Sequence, residues 1–266
     1  MKKILIIGKR GFIGNNLSTY LKKFYNVSHK SFKDLNKKRL EVNNFDYVIN
    51  TSINKNYIAK RYNQKFDNDY KISNLINNHK TTYIFLSTRK VYKSTVNIKE
   101  NSKLLPKSNY AKNKLITEQK LKKKLKKNLL ILRLSNVIGD KNKIKKIHNT
   151  FIDIFFDNIK KGVVLDNKKD FKDFISIDKF CEIMKNIISK NLRGVFNVSI
   201  GKKIYLNDLI GWLNKFNNKK FMIIRKNIKN DCFFLNNKKL MSKIKIKNST
   251  LELKKYCFRI SKKKFS

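Results

Sequence analysis

The sequence predicts an α/β protein built on a doubly wound, parallel β-sheet with a smaller C-terminal lobe. Three observations carry that prediction. The runs Lys3-Ile4-Leu5-Ile6-Ile7, Tyr83-Ile84-Phe85-Leu86 and Leu129-Leu130-Ile131-Leu132-Arg133-Leu134 are almost continuously apolar, as expected of parallel strands covered on both faces. Helical segments lie between them, and a strand-helix alternation builds parallel sheets. The first run passes directly into Gly8-Lys9-Arg10-Gly11-Phe12-Ile13-Gly14, which places three glycines at a strand-to-helix turn.

That turn is the first element with a chemical use. Gly8 permits a tight bend, Gly11 lets backbone approach a pyrophosphate, and Gly14 lets helix pack on strand, with the helix N-terminus facing the anion. The architecture expected is therefore Rossmann-type, with Gly8, Arg10, Gly11, Phe12, Ile13 and Gly14 lining a dinucleotide cleft. The helix continues through Asn15 to Phe24, and Asn26-Val27-Ser28-His29 forms a short second strand. An NAD-binding chain normally places a carboxylate after that strand for the ribose hydroxyls. Here stand His29, Lys30 and Ser31. Arg10, Lys30 and Ser31 can neutralise and hydrogen-bond a 2′-phosphate, so NADP is the cofactor expected, with NAD as the alternative.

Asp46-Tyr47-Val48-Ile49-Asn50-Thr51 is the next buried strand, and a helix from Asn68 to Ile76 leads into the Tyr83 strand. A doubly wound sheet binds its ligand beyond the strand C-termini, where Gly8, Asn50, Thr51 and Thr88 all fall. Downstream stands Tyr110-Ala111-Lys112-Asn113-Lys114. At a spacing of four, Tyr110 and Lys114 share one helix face, and an ammonium beside a phenol favours the phenolate, bringing its pKa of about 10 toward neutrality. Thr88 can hydrogen-bond the same substrate oxygen. Tyr110, Lys114 and Thr88 are the candidate catalytic residues.

Composition bounds the rest. At 266 residues and 41% hydrophobic content the chain can bury a substantial core. It shows no apolar stretch of about 18 residues and no charged-then-apolar leader, so neither a membrane span nor a signal peptide is expected, and the expected location is the cytoplasm. Cys181, Cys232 and Cys257 lack Cys-x-x-Cys spacing and read as small buried hydrophobes, and His29, His79 and His148 lack metal-ligand spacing, so no metal is expected. The formal charge of +46 would suit a nucleic-acid binder, but the lysines are spread along the whole chain in a bias shared with Asn and Ile. The dense run from Lys120 to Lys127 reads as the solvated end of the Tyr110 helix. Neither specific nucleic-acid nor membrane binding is expected.

Taken together, the glycine turn, Ser87-Thr88 before Val91-Tyr92, Glu100, Pro106 to Tyr110, Lys114 with Glu118, and Arg133 to Gly139 resemble the extended short-chain dehydrogenase/reductases. These form the NAD(P)-dependent epimerase/dehydratase group acting on nucleotide sugars. Asp173-Phe174-Ile175-Ser176-Ile177-Asp178 resembles the family's return strand and Gly194-Val195-Phe196-Asn197-Val198 its last sheet strand. The resemblance implies Tyr110 as acid/base, Lys114 as the holder of the nicotinamide ribose, and Thr88 as hydroxyl partner. It also implies Asn68 near the site and Asn136 against the substrate diphosphate or sugar. A nucleotide sugar is then the expected substrate and a homodimer the expected assembly.

Departures narrow the reaction. The family's 4,6-dehydratases follow the hydroxyl residue with Asp-Glu, whereas Arg89-Lys90 follow Thr88 here, so elimination of water is disfavoured. The loop resembles that of the NADP-dependent GDP-fucose synthases, yet no cysteine stands near Arg89 to Val91 for their epimerisation. Lys179 stands where the family has an acid after Asp178. NADPH-dependent reduction of a nucleotide-linked 4-keto-6-deoxy sugar fits what remains, with an NAD-dependent 4-epimerase and a non-catalytic NADP-binding member as alternatives. The domains expected are residues 1–143, rejoined by 170–200, and a substrate lobe of 144–169 and 201–266. Trp212, in an apolar helical pattern, reads as core rather than as a platform for a sugar ring.

Overall fold

A computed structural model describes residues 1–36, 41–139, 151–166, 170–218, 222–225 and 232–265. The N-terminal half runs β1 (Lys3–Ile7), α1 (Phe12–Leu21), β2 (Asn26–Lys30), β3 (Tyr47–Asn50), α2 (Lys55–Ala59), α3 (Asn68–Ser73), β4 (Thr82–Thr88), α4 (Asn109–Leu125) and β5 (Leu129–Leu134). There follow β6 (Asn136–Ile138), α5 (Phe151–Lys160), β7 (Val163–Asp166), β8 (Phe171–Lys172), β9 (Phe174–Ser176), α6 (Ile177–Ser189) and β10 (Gly194–Val198). The chain continues through β11 (Ile204–Tyr205), α7 (Leu206–Leu213), β12 (Met222–Arg225), α8 (Lys238–Ile244) and α9 (Thr250–Phe265).

Six strands form one parallel sheet in the order β10-β5-β4-β3-β1-β2. The apolar runs are continuous because helices cover both faces. Ile4 and Ile6 enter the larger cluster, with Leu17 and Leu21 of α1 and Phe180, Ile183, Met184 and Ile187 of α6. Leu5 and Ile7 point the other way and meet Ile72 near α3 and Leu121 and Leu125 of α4. Strand order reverses between β1 and β3, all strands staying parallel, and the loops after these two strands open the crevice in which such sheets take a ligand.

The predicted strands and helices are present with shifted ends. The first helix stops at Leu21, three residues short of Phe24, because Leu21 is its last core-facing position and Phe24 is exposed. The second strand runs on to Lys30, and the helix from Asn68 ends at Ser73. The short helix α2, capped by the Asn54 side chain on Asn56 N, was not predicted.

In the C-terminal part, Leu209, Leu213, Leu240, Ile244, Leu253 and Cys257 of α7, α8 and α9 enter the same cluster as α1 and α6, and Trp212 packs against it. Cys181 and Cys257 are buried as expected, whereas Cys232 is half-buried, its Sγ 3.8 Å from Asp170 Oδ1. His148 and the neighbouring residues 140–150 lie outside the described residues. Among the described residues no helix is long and apolar enough to cross a membrane, and no group of His, Cys, Asp or Glu could hold a metal ion.

Candidate active site

The glycine turn is shaped by Thr51. Both the N–H and the hydroxyl of Thr51 donate to the Ile7 carbonyl, at 2.7 and 2.8 Å. Gly8 has φ 120°, a conformation that side chains disfavour, and a Cβ there would stand 2.3 Å from Thr51 Oγ1. Gly8 N–H donates to the Lys30 carbonyl at 2.8 Å, which fixes the end of β2 beside the turn. Helix α1 begins at Gly11 with no side-chain cap and no acid in its first turn, so its leading amides are open to an anion. This suits a dinucleotide pyrophosphate. The Phe12 ring packs where a Gly139 Cβ would stand, 2.3 Å from that point, and Ile13 packs on the core. The Phe12 and Ile13 side chains are both half-buried against the protein.

Lys30 at the end of β2 and Arg10 in the glycine turn are exposed, and Ser31 is half-buried. The Ser31 N–H donates to Asp34 Oδ2 at 2.8 Å. A carboxylate thus stands beside the second strand, three residues beyond Ser31, where none was expected. Its signal was Ser31-x-x-Asp34, the spacing of a capping box, here opening the short 3-10 turn Phe32–Asn36.

Ser108 caps α4, its hydroxyl accepting from Ala111 N at 3.3 Å, and the helix sets Tyr110 and Lys114 one turn apart on one face. Tyr110 is half-buried, and its hydroxyl has no hydrogen-bond partner among the described residues. Lys114 is buried. Its ammonium lies 3.3 Å from Asp69 Oδ2 and 4.4 Å above the Phe85 ring. Asp69 also accepts from Asn50 Nδ2 at 2.9 Å and from the Tyr83 hydroxyl at 2.7 Å. Burial pushes the Asp69 carboxyl above the usual carboxylate range, although Lys114 opposes it. Burial works to lower the Lys114 pKa, but Asp69 first and Tyr110 next outweigh it, so the ammonium holds its proton more tightly than an ordinary lysine. Thr88 closes β4, its Oγ1 accepting from Lys90 N at 3.3 Å.

Other expected residues hold the frame. Asn50 Oδ1 accepts from Ser52 N and Oγ, at 2.9 and 2.7 Å, and Asn68 Nδ2 donates to Ser52 Oγ at 3.1 Å. The Asn136 side chain donates to the Asp173 carbonyl at 3.3 Å. Arg89, next to Thr88, is buried with its guanidinium 3.7 Å from the Phe233 ring centre and a bond to Ser94 Oγ at 3.2 Å. Behind the site, Arg133 Nη2 meets Glu118 Oε2 at 2.6 Å while Ser87 donates to Glu118 Oε1 at 2.5 Å, tying α4 to β4 and β5. Glu100 accepts from Asn197 N at 2.9 Å, which locks β10 to the same corner. Lys179 reaches Glu182 at 2.7 Å and Glu252 at 2.9 Å, joining α6 to α9.

The model of the family described as NAD dependent epimerase/dehydratase matches residues 4–199. The chain is similar in structure to a UDP-N-acetylglucosamine 4-epimerase from Methanobrevibacter ruminantium in complex with UDP-N-acetylmuramic acid, at 22% identity and TM-score 0.79, covering 98% of this chain and 97% of that one. It is similar to a dTDP-4-dehydrorhamnose reductase from Clostridium acetobutylicum at 18% identity and TM-score 0.76, covering 96% and 98%. A third, a protein called RMD from Pseudomonas aeruginosa complexed with NADPH, shares 15% identity at TM-score 0.77, covering 100% and 99%. At such identities the likenesses show the fold. Among curated proteins no match is found.

Proposed function

The chain belongs to the NAD dependent epimerase/dehydratase family, and on that premise we propose that it is an NADPH-dependent reductase of a nucleotide-linked 4-keto-6-deoxy sugar. The observation that carries this reading is the half-buried Tyr110 hydroxyl, without a hydrogen-bond partner among the described residues, one helical turn from the buried Lys114 ammonium, in a fold whose glycine turn is open to a pyrophosphate. The bound cofactor would supply hydride to C4 of the sugar. Tyr110 then gives its proton to the C4 oxygen as that oxygen gains charge, and the Thr88 hydroxyl hydrogen-bonds the same atom. Lys114 favours the tyrosinate left behind and offers its remaining protons to the ribose hydroxyls. Arg89, stacked into the protein beside Thr88, gives no base for elimination of water. Arg10 and Lys30, exposed next to the turn, supply positive charge for a 2′-phosphate. Asn136 and the lobe of 144–169 and 201–266 are assigned to the sugar nucleotide, and the enzyme to a homodimer.

One observation favours a second reading. The Asp34 carboxylate accepts from Ser31 N just after β2, and an acid at this end of the strand suits the ribose hydroxyls of NAD and hence a 4-epimerase that oxidises and re-reduces C4 with the same Tyr110, Lys114 and Thr88. Fluorescence titration with NADPH and NADH separates the cofactors, and a panel of dTDP-, UDP-, GDP- and CDP-linked 4-keto and 4-hydroxy sugars separates the reactions. Stoichiometric NADPH consumption with a 4-keto substrate is expected, whereas sugar interconversion without net cofactor change establishes the epimerase. Tyr110→Phe is expected to lose most turnover, about 100-fold or more, and to keep NADPH binding; full activity of that variant overturns the assignment.

A further inference from the structure

Lys114 is set apart from the other lysines of its helix. Lys112, Lys122, Lys123 and Lys124 of α4 are exposed, while Lys114 is 6% exposed. A buried ammonium is costly unless something compensates its charge. The compensating group comes from another element, since Asp69 stands on the first turn of α3 and is itself 4% exposed. Asp69 is not free to follow the lysine. Asn50 Nδ2, at the end of β3, and the Tyr83 hydroxyl, on β4, both donate to its Oδ1, which leaves Oδ2 for Lys114. The ammonium is thus referenced to the C-terminal edge of the sheet, one residue from the Thr51 that walls the glycine turn. It carries three protons, and the hydrogen bond to Asp69 uses one.

We propose that Asp69 is a positioning residue for the Tyr110–Lys114 pair, anchoring the ammonium and keeping its charge in place beside the phenol. This rests on the reading of Tyr110 as the acid/base. The other titratable groups facing Lys114 are Tyr57 on α2, whose ring lies 5.8 Å away, Asp67 at the cap of α3, and Tyr110 on α4. Asp67 is occupied elsewhere, accepting from Thr117 Oγ1 at 2.6 Å, Tyr70 N at 2.9 Å and the Tyr62 hydroxyl at 3.0 Å. Tyr57 is likewise engaged, its hydroxyl 2.7 Å from Thr117 Oγ1. Asp69 is therefore the carboxylate that directly sustains the charge of Lys114. Without it, the effect of burial on Lys114 is opposed only by the weaker influence of Tyr110 and Asp67, the lysine releases its proton at lower pH, and Tyr110 loses the cation that favours its phenolate.

The test reads tyrosinate absorbance against pH in the full chain without cofactor or sugar, taking the difference from a Tyr110→Phe background to isolate one of the 11 tyrosines. In Asp69→Asn the Tyr110 ionisation is expected to move to higher pH, and Asp69→Glu to restore most of that change. An unchanged midpoint overturns the proposal by making Asp69 a packing residue, and a downward shift overturns it by making Asp69 a screen on Lys114. Where Asp69→Asn does not fold, the wild-type Lys114 side-chain carbon signal, assigned by its loss in Lys114→Arg, decides. It is expected to titrate above the exposed lysines, and titration with or below them overturns the proposal. Because none of these readings uses turnover, an enzyme inactive on every sugar but showing the Tyr110 shift would refute the reductase reading and leave the positioning role standing.

Discussion

At Gly14 space decides, because a Cβ there would lie 2.4 Å from Thr51 Oγ1 and 2.7 Å from the Gly8 carbonyl, both held by the hydrogen bonds of the turn. Gly14→Ala is expected to cost about 1–3 kcal/mol in urea unfolding, the range for overpacking a tight contact, and to weaken dinucleotide binding because the turn must open. Double substitution with Thr51→Ala, which removes the clashing oxygen, is expected to cost less than the two single changes summed. Residues of this kind were legible in the sequence, since glycines at fixed spacing after an apolar run have one common use, and Tyr110 and Lys114 are neighbours by helical period alone. Asp69 was not, and Asp34 showed only as the capping spacing Ser31-x-x-Asp34. Asp34 acts through a turn placed after the strand ends, and Asp69 through a pairing with a residue 45 positions away, which no local pattern encodes.

Among the elements, α4 does the most joining. One face presents Tyr110 and Lys114 to the crevice, Leu121 and Leu125 enter the core, and Lys122 to Lys124 face water, so the lysine run is the solvated side of an amphipathic helix, as its pattern predicts. Glu118 ties this helix to the sheet through Arg133 and Ser87, with side chains of the ion pair 2% and 0% exposed. Glu118→Ala would strand a buried guanidinium and is expected to cost about 3–5 kcal/mol, while Glu118→Leu with Arg133→Met is expected to recover much of that loss. Urea unfolding of the single and double variants checks both statements. Element existence was readable from apolar runs and period. Element ends were not, because they depend on which side chain still meets a core, as at Leu21 and Phe24.

For the molecule as a whole, the formal charge of +46 works against the compact state, since like charges on a folded surface repel more than on an extended chain. Raising salt shortens the reach of that repulsion to about 10 Å at 0.1 M and about 3 Å at 1 M. The expected outcome in a thermal melt is a Tm that climbs by several degrees as NaCl is raised through this range, and weak RNA binding that vanishes over the same range. A flat Tm would mean that ion pairs and lysine packing on aromatic rings already compensate the charge. The parallel sheet was legible from uninterrupted apolar strands, and the family resemblance pointed to Gly194–Val198 as its last strand, but no local pattern gave the partner of that strand, which is β5 in the register Gly194↔Leu130 to Val198↔Leu134. That distant pairing bears on how the protein is made. Until β10 emerges, roughly sixty residues after β5, a nascent chain carries an uncovered row of amide and carbonyl groups along β5. At about 5–20 residues per second the ribosome leaves that edge open for several seconds, and the newborn chain depends on its charge, or on a chaperone, to keep a second copy from completing the sheet in place of its own last strand.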